Sequence, residues 1–275
     1  MLIDTHCNLH DQEWFTTEQS EQFLQEAHQA GVEQIVCIGT NPEDSQNARD
    51  FAQAHDGVFW TYGIHPEFAS KDERWDEDIS LLLERIRSYD EEERRDPATA
   101  GVASAPREKN VKYPHVPVAI GEIGLDYHYE GYSRQDQIRL FEQMLQLALD
   151  LNLPVSLHIR EAFEDAFAVL DNFPKTRGVV HSFTGSKRHL KASLKRGFYV
   201  GVNGLCTYTT NPLPPLEKMV LETDAPFLTP VPFRGTINKP GYVQTIAVYL
   251  SEKLGVAEAN IVEQTTQNAR KLFRI

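Results

Sequence analysis

The chain has 275 residues, of which 41% are hydrophobic, and it carries a formal net charge of -13 at pH 7. A chain of this length can bury a large core, and its composition predicts a single domain over residues 1–275. The negative charge argues against a broad basic surface that grips a long duplex, because nonspecific affinity for nucleic acids comes mostly from Lys and Arg side chains that neutralise phosphates.

Strand-like and helix-like hydrophobic periods alternate along the chain, which predicts parallel strands joined by crossover helices. The predicted strands cover residues 2–6, 34–38, 58–64, 116–122, 154–158, 178–181, 198–202 and 219–223. The predicted helices cover residues 16–31, 42–55, 77–87, 133–148, 161–171, 187–195, 240–254 and 258–273. This order predicts an α/β fold of the TIM (β/α)8 barrel type, slightly distorted, with an extra C-terminal helix.

Two segments interrupt this alternation. Residues 89–115 combine a mixed charge run with Pro97 and Pro106, and they are far longer than a usual connection between a helix and a strand. Because they precede a strand, we expect a solvated, mobile insertion on the amino-terminal face of the barrel, away from the chemistry. Between residues 203 and 218 three prolines leave little room for a helix, which predicts a shortened crossover before the eighth strand.

Cysteine usage and hydropathy bear on the compartment. Cys7, Cys37 and Cys206 are widely separated and form no CxxC motif, which suits a reducing compartment. No run of about 18 apolar residues is present to span a bilayer, and Asp4 and His6 interrupt the start, where a signal peptide would need an apolar core. We therefore expect a soluble, unprocessed cytoplasmic protein with no membrane association and no obligate protein partner.

Six polar side chains stand where predicted strands end, and their residue types suit a metal centre. They are His6, Asn8, Glu122, His158, His181 and Asp224. TIM barrels assemble their active sites at the carboxyl ends of their strands, so we expect these side chains to converge. Any one His here is more often a structural residue, but the shared position favours metal binding. Glu122 has a second reading, in which Gly121 and Gly124 merely allow a tight turn and Glu122 caps the next loop.

The ligand types also indicate a chemistry. Imidazoles together with carboxylates form a borderline ligand set, which suits Zn or Mn, and Mg if carboxylates and water dominate. Phosphodiester hydrolysis needs an activated water, neutralised phosphoryl oxygens and a stabilised leaving oxygen, and two cations about 4 Å apart can supply all three. We therefore expect a hydrolase with two divalent metal ions, with Glu122 as the bridging ligand.

Eight short segments carry a family resemblance. They are DTHCNL at 4–9, GIHP at 63–66, GEIGLDY at 121–127, LHIR at 157–160, HSFTG at 181–185, ETDAP at 222–226, PFRG at 232–235 and NA at 268–269. In this order, over nearly the whole chain, they resemble the successive signatures of the TatD-type metal-dependent deoxyribonucleases. The resemblance implies an amidohydrolase-like TIM barrel and divalent-metal-dependent hydrolysis of DNA, often from a 3′ end.

The resemblance also implies roles for the candidate ligands. His6, Asn8, Glu122 and Asp224 would hold one metal, and Glu122, His158 and His181 would hold the other. Asp224 would also orient or deprotonate the attacking water, so Glu122 and Asp224 are the expected catalytic residues.

One departure from the family pattern concerns the first metal site. The family normally has His where this chain has Asn8, and a neutral amide oxygen is a weaker ligand for a transition metal than imidazole. The first site is therefore expected to be looser or to prefer a harder ion. His10 has the same strand parity and offers a compensating ligand, although it lies one step further into the loop.

Substrate contacts are expected from residues that follow other strands. Arg160 and Arg234 are placed to meet phosphate oxygens near the metals, although ordinary salt bridging is an equal alternative. His65 is placed to contact a leaving group or a phosphate, and Tyr127 and Phe183 are candidates for stacking on a base or for packing.

These observations predict a hydrolase that cleaves phosphodiester bonds in DNA, acting exonucleolytically on 3′ ends. Two alternatives stay open. The same barrel can hydrolyse a small-molecule amide or ester, or an aminoacyl ester on RNA. The second alternative is a degenerate barrel that binds its ligand without catalysis, with Asn8 as the first sign of that loss.

Overall fold

The computed structural model describes residues 1–69, 75, 77, 79–84 and 116–275. Eight parallel strands pair in the order in which they occur along the chain. They are β1 (Leu2–Cys7), β2 (Val32–Cys37), β3 (Val58–Tyr62), β4 (Ala119–Asp126), β5 (Val155–Arg160), β6 (Gly178–Val180), β7 (Tyr199–Val202) and β8 (Met219–Leu221). The ring is closed just beyond β8, where Cys7 forms a parallel bridge with Ala225 and the Asp224 N–H donates to the His6 carbonyl at 2.8 Å. The predicted TIM barrel is confirmed.

Helices follow most of the strands, and several of them begin after a residue whose side chain caps the helix. They are α1 (Thr17–Gln29), α2 (Pro42–Ala54), α3 (Arg134–Asp150), α4 (Phe163–Asp171), α5 (Lys187–Lys195), α6 (Val243–Leu254) and α7 (Glu258–Phe273). Thr16 forms a capping box with Gln19, and the Ser133 hydroxyl accepts the N–H of Asp136. Such caps satisfy amide groups that the first helical turn leaves free. The predicted helix 77–87 is helical at Glu77 and at 79–84, and its remaining residues lie outside the described part of the chain.

Two strand boundaries differ from the prediction in a way that matters for the site. The prediction ended the fourth strand at Glu122 and the fifth at His158, but β4 continues to Asp126 and β5 to Arg160. The two strands stay paired over this extension, with Asp126 opposite Arg160. The prediction ends each of these strands at a polar side chain. The strands continue past Glu122 and His158 because both side chains face the mouth of the barrel, where polar groups are tolerated. Glu122 and His158 therefore rest on hydrogen-bonded backbone rather than on loops.

The connection before β8 is short, as predicted. It contains two 3-10 turns, Gly204–Thr207 and Leu216–Lys218, in place of a crossover helix. The extra C-terminal helix α7 packs beside this connection, where the Asn268 side-chain amide donates to the carbonyls of Leu216 at 2.9 Å and Met219 at 2.7 Å. The predicted insertion at 89–115 lies outside the described residues.

The apolar interior consists of strand residues and the inner faces of the helices. Phe141, Met144 and Leu145 of α3 recur at helical spacing and are fully buried. The cysteines are buried free thiols. Within the described part of the chain, no helix combines the length and the hydropathy needed to cross a membrane.

Candidate metal centre

Glu122 lies at the centre of a cluster of imidazoles at the carboxyl ends of the strands. Its Oε1 is 2.7 Å from His158 Nδ1 and 2.7 Å from His181 Nε2, while its Oε2 is 3.6 Å from His6 Nε2. One carboxylate thus faces two different groups of nitrogen atoms. The reading of Glu122 as a cap on a tight turn is wrong, because β4 runs through it.

Two glycines allow the backbone to place this carboxylate. A Cβ at Gly63 would overlap the backbone of Glu122, and a Cβ at Gly124 would overlap the carbonyl of His158. Gly124 also has φ of 144°, in a region that favours glycine. These glycines therefore serve the close approach of β4 to its neighbours.

His6 supports the interpretation of this cluster as a metal centre. Its ring stacks on that of His181 with centroids 3.9 Å apart, and its Nε2 lies 3.6 Å from Asp224 Oδ1. Neither ring nitrogen of His6 has a hydrogen-bond partner among the described residues, although the side chain is buried. Buried polar atoms rarely stay unpaired, so an unpaired nitrogen between two carboxylates fits the role of a metal ligand.

Asp224 approaches the cluster from the turn that follows β8. Its φ is 59°, a costly conformation for a residue with a side chain, and the closure between β1 and β8 holds it there. Burial raises the pKa of Asp224 to about 6, and the charge of Glu122 adds to this effect. Its side chain is still 16% exposed, which leaves its carboxylate open to a molecule that enters from solvent.

Asn8 lies beside the cluster with its amide nitrogen occupied. Its Nδ2 donates to the carbonyl of Ala225 at 3.1 Å, so its oxygen is the atom left to coordinate an ion. The suggestion that His10 compensates for Asn8 is wrong. The buried His10 ring lies 2.9 Å from Asp44 Oδ1, and its partner is therefore outside the cluster.

An acid lies on the far side of two of the imidazoles. His158 Nε2 lies 2.9 Å from Asp126 Oδ2, within hydrogen-bond distance, whereas His181 Nδ1 lies 3.8 Å from Glu222 Oε1, beyond that distance. A carboxylate that is hydrogen-bonded in this way fixes the ring orientation of a metal-binding histidine, so Asp126 positions His158. Sequence reasoning gave neither acid a role. Asp126 gave no signal, because the predicted fourth strand ends at Glu122, and the signal for Glu222 was its spacing of two residues from Asp224.

The pKa values of Glu122 and Glu222 are shifted in opposite directions. Burial opposes the charged form of Glu122, but the charge of His181 and the hydrogen bonds from His158 and His181 hold the pKa of Glu122 well below its usual value. Burial raises the pKa of Glu222 well above its usual value. The surroundings therefore favour the charged form of Glu122 and disfavour the charged form of Glu222.

The predicted substrate residues lie at different distances from this centre. His65 Nε2 is 3.9 Å from Glu122 Oε1, and its Nδ1 accepts the N–H of Glu67 at 3.3 Å, so Nε2 carries the proton that faces the cluster. The guanidinium of Arg160 lies 5.2 Å from the ring centroid of Tyr129.

The remaining substrate candidates contact other side chains. The Arg234 guanidinium lies 3.9 Å from the ring centroid of Tyr208. The hydroxyl of Tyr127 donates to Asp165 Oδ2 at 2.8 Å, and the buried Phe183 packs edge-on against another ring. Packing is therefore the better reading of Tyr127 and Phe183.

Replacement of Asp126 with Asn tests the hold on His158. The amide keeps the size but loses the charge that orients the imidazole, and we expect divalent-metal affinity to fall by about 10- to 100-fold. Calorimetric titration of chelator-treated protein with Mn²⁺ measures this change. Asp165→Asn is the control, because Asp165 pairs with Arg134 outside the cluster. Equal affinities in both variants would contradict the role of Asp126.

A parallel barrel with histidines and carboxylates gathered at the carboxyl ends of its strands defines a metal-dependent hydrolase. The family model described as TatD related DNase matches residues 3–274. The chain therefore belongs to the TatD related DNase family, and its members act as hydrolases on ester bonds.

Individual relatives agree with this assignment. The chain is 35% identical over 268 residues to the 3'-5' ssDNA/RNA exonuclease TatD of Pantoea ananatis, with 92% of each chain covered. It is 30% identical over 284 residues to the uncharacterized metal-dependent hydrolase YabD of Bacillus subtilis, with 100% of each covered. The crystal structure of YJJV, a TatD homolog from Escherichia coli K12, matches with a TM-score of 0.80 and 28% identity, over 100% of this chain and 98% of that chain.

Proposed function

We propose that the chain is a two-metal exonuclease that removes nucleotides from the 3′ ends of DNA strands. One observation carries the proposal, which is the division of the Glu122 carboxylate between two ligand groups. Oε1 faces His158 and His181, and Oε2 faces His6. A similar relative bears the name 3'-5' ssDNA/RNA exonuclease, which supports the substrate and the direction of cleavage.

The ligands divide into two sets that share Glu122. His6, Asn8 and Asp224 complete the first set, and His158 and His181 complete the second. Two divalent ions bound there would supply an activated water and neutralise the phosphoryl oxygens. The weak amide ligand at Asn8 makes the first set the one that admits Mg or Mn most readily, whereas the second set suits Zn as well.

Other side chains of the chain act on water and substrate. Asp224 is the most accessible carboxylate that faces the histidines of both sets, so it orients the attacking water and accepts its proton. His65 donates a hydrogen bond from its Nε2–H to a phosphate or leaving oxygen. Arg160 and Arg234 contact phosphates of the strand that enters.

Metal removal and restoration test the proposal directly. Protein treated with chelator is expected to lose nuclease activity and to regain it with Mg²⁺, Mn²⁺ or Zn²⁺, because the histidines and acids cannot activate water alone. The measurement uses a single-stranded oligonucleotide labelled at its 5′ end, from which a 3′ exonuclease gives a ladder of products that shorten one nucleotide at a time. The same oligonucleotide labelled at its 3′ end is the control for polarity and should release mononucleotide first.

Two results would contradict the proposal. Hydrolysis of an aminoacyl ester or a small ester, without hydrolysis of DNA, would favour the other substrates that this chemistry allows. Less than one equivalent of metal per chain after reconstitution, with no hydrolysis, would favour a degenerate binding barrel.

A further inference from the structure

Exposed apolar side chains concentrate on one face of the barrel. Ten large hydrophobic side chains are exposed among the described residues. Seven of them follow the carboxyl ends of β1, β4 and β8, namely Trp14, Tyr129, Tyr132, Phe227, Val231, Phe233 and Ile237. This is the face that carries the candidate metal centre. An exposed apolar patch in this position marks a binding surface.

Trp14 and Phe227 form a pair within this patch. Their ring centroids lie 5.0 Å apart in an edge-to-face arrangement, with an interplanar angle of 78°. Trp14 is 48% exposed and Phe227 is 44% exposed. Aromatic rings favour this geometry, in which the edge of one ring covers a single face of the other, so each ring keeps at least one face that its partner does not cover.

Short backbone turns attach the pair to the candidate metal ligands. The N–H of Phe227 donates to the carbonyl of Asp224 at 2.8 Å. On the other side, the N–H of Asp11 donates to the carbonyl of Asn8 at 3.0 Å, and the N–H of Trp14 donates to the carbonyl of Asp11 at 3.2 Å. Both rings therefore belong to the turns that carry the first ligand set.

The charge of the chain favours a nucleobase as the group that these rings contact. With a net charge of -13, the protein gains little affinity from a general attraction for phosphates. The two cations proposed to contact phosphates, Arg160 and Arg234, offset only a small part of this charge. Stacking of bases on aromatic side chains does not depend on charge or sequence, but it requires a base that is not paired in a duplex.

We propose that Trp14 and Phe227 form a stacking platform for an unpaired nucleobase of the strand whose end is cleaved. The inference rests on the proposed nuclease function and adds a cause for discrimination between single-stranded and duplex ends. A base held on this platform keeps the adjoining phosphate near Asp224 and the first ligand set. A paired base stays stacked in its duplex and gains nothing from these rings.

Tryptophan fluorescence gives a direct readout of the platform. Of the three tryptophans, Trp60 and Trp75 are only 3% and 5% exposed, so Trp14 reports contact with a ligand. Oligothymidylate with phosphorothioate linkages, which slow its hydrolysis, is expected to quench the fluorescence of the metal-loaded enzyme. The Trp14→Phe variant should lose the quenching and still bind the oligonucleotide, as measured by fluorescence anisotropy of a labelled strand.

Kinetics test the same platform without fluorescence. Trp14→Leu is expected to raise KM for single-stranded DNA by about 5- to 150-fold, the range for loss of one stacked base, with kcat nearly unchanged. Trp14→Phe should restore KM to near the wild-type value because it returns a ring. Leu254→Ala, which removes an exposed apolar side chain at the end of α6, is the control and should leave KM unchanged.

The outcomes separate this inference from the proposed function. A wild-type enzyme that cleaves no DNA removes the proposed function, whatever the variants do. An active wild-type enzyme with no quenching, and with the same KM in Trp14→Leu and wild type, overturns the platform alone. The platform is also overturned if Trp14→Leu leaves KM unchanged but changes the molar mass measured by light scattering. The two rings would then form a contact between two copies of the chain. Circular dichroism checks that each variant is folded. The single variant Phe227→Leu, compared with Trp14→Phe, repeats the kinetic test at the partner ring.

Discussion

Replacement of Glu122 with Gln is expected to lower the nuclease rate at least about 10³-fold and to reduce the bound metal. Glu122 supplies an oxygen to both ligand groups, at 2.7 Å from His158 Nδ1 and 3.6 Å from His6 Nε2. The amide keeps the shape but removes the charge between the two sets. Metal ions contribute several kcal/mol to charge stabilisation in the transition state, and each 1.36 kcal/mol is a factor of ten in rate.

The measurement combines metal analysis by mass spectrometry with rates on single-stranded DNA. Glu164→Gln is the matched control, because Glu164 is exposed and pairs with Arg188 on the outside of the barrel. That variant should keep wild-type rates and metal content. Full activity in Glu122→Gln would contradict the role of Glu122 as a shared metal ligand and with it the proposed two-metal arrangement.

Much of the barrel could be predicted because its strands are short apolar segments separated by amphipathic helices. Polar residues at the carboxyl ends of those segments stood out in the sequence, and the structure brings four of them together around a fifth, Glu122. The sixth, Asn8, lies beside them with its amide nitrogen occupied by Ala225. Its coordination of a metal stays a prediction.

The outer partners could not be predicted from the sequence in the same way. Asp126 reaches His158 because β4 and β5 stay paired past Glu122, and no local pattern gives the register of two parallel strands. The same reason applies to His10, whose strand parity suggested the centre although its partner is Asp44 on α2. Periodicity gives the face of a side chain, whereas its contacts depend on neighbours distant in sequence.

The proposed stacking platform likewise could not be predicted from the sequence. Trp14 and Phe227 are separated by more than two hundred positions, and neither belongs to a motif that suggests stacking. Tyr127 and Phe183, which lie within motifs, are held by packing and by a hydrogen bond to Asp165. The exposure of an aromatic ring depends on the loops around it, and this information is present in the structure alone.

Replacement of Asp224 with Asn is expected to lower kcat by about 10²- to 10⁴-fold, the usual contribution of a positioned general base. Asp224 faces His6 Nε2 at 3.6 Å, and its carboxylate is open to solvent on its other side. The amide still offers an oxygen to a metal ion but cannot accept a proton from water. KM for DNA should therefore change much less than kcat.

Glu222 provides the matched control for Asp224, since both acids follow β8. Burial raises the pKa of Glu222 well above its usual value, so the surroundings disfavour a charge there and the uncharged Gln is a close replacement. The Glu222 Oε1 atom accepts the N–H of Ser182 at 2.5 Å, and the amide oxygen of Gln can accept the same bond. Glu222→Gln should therefore lower kcat by less than about tenfold, a loss of under 1.4 kcal/mol. Equal losses in the two variants would show that the segment is only structural, whereas a loss confined to Asp224→Asn assigns the proton transfer to Asp224.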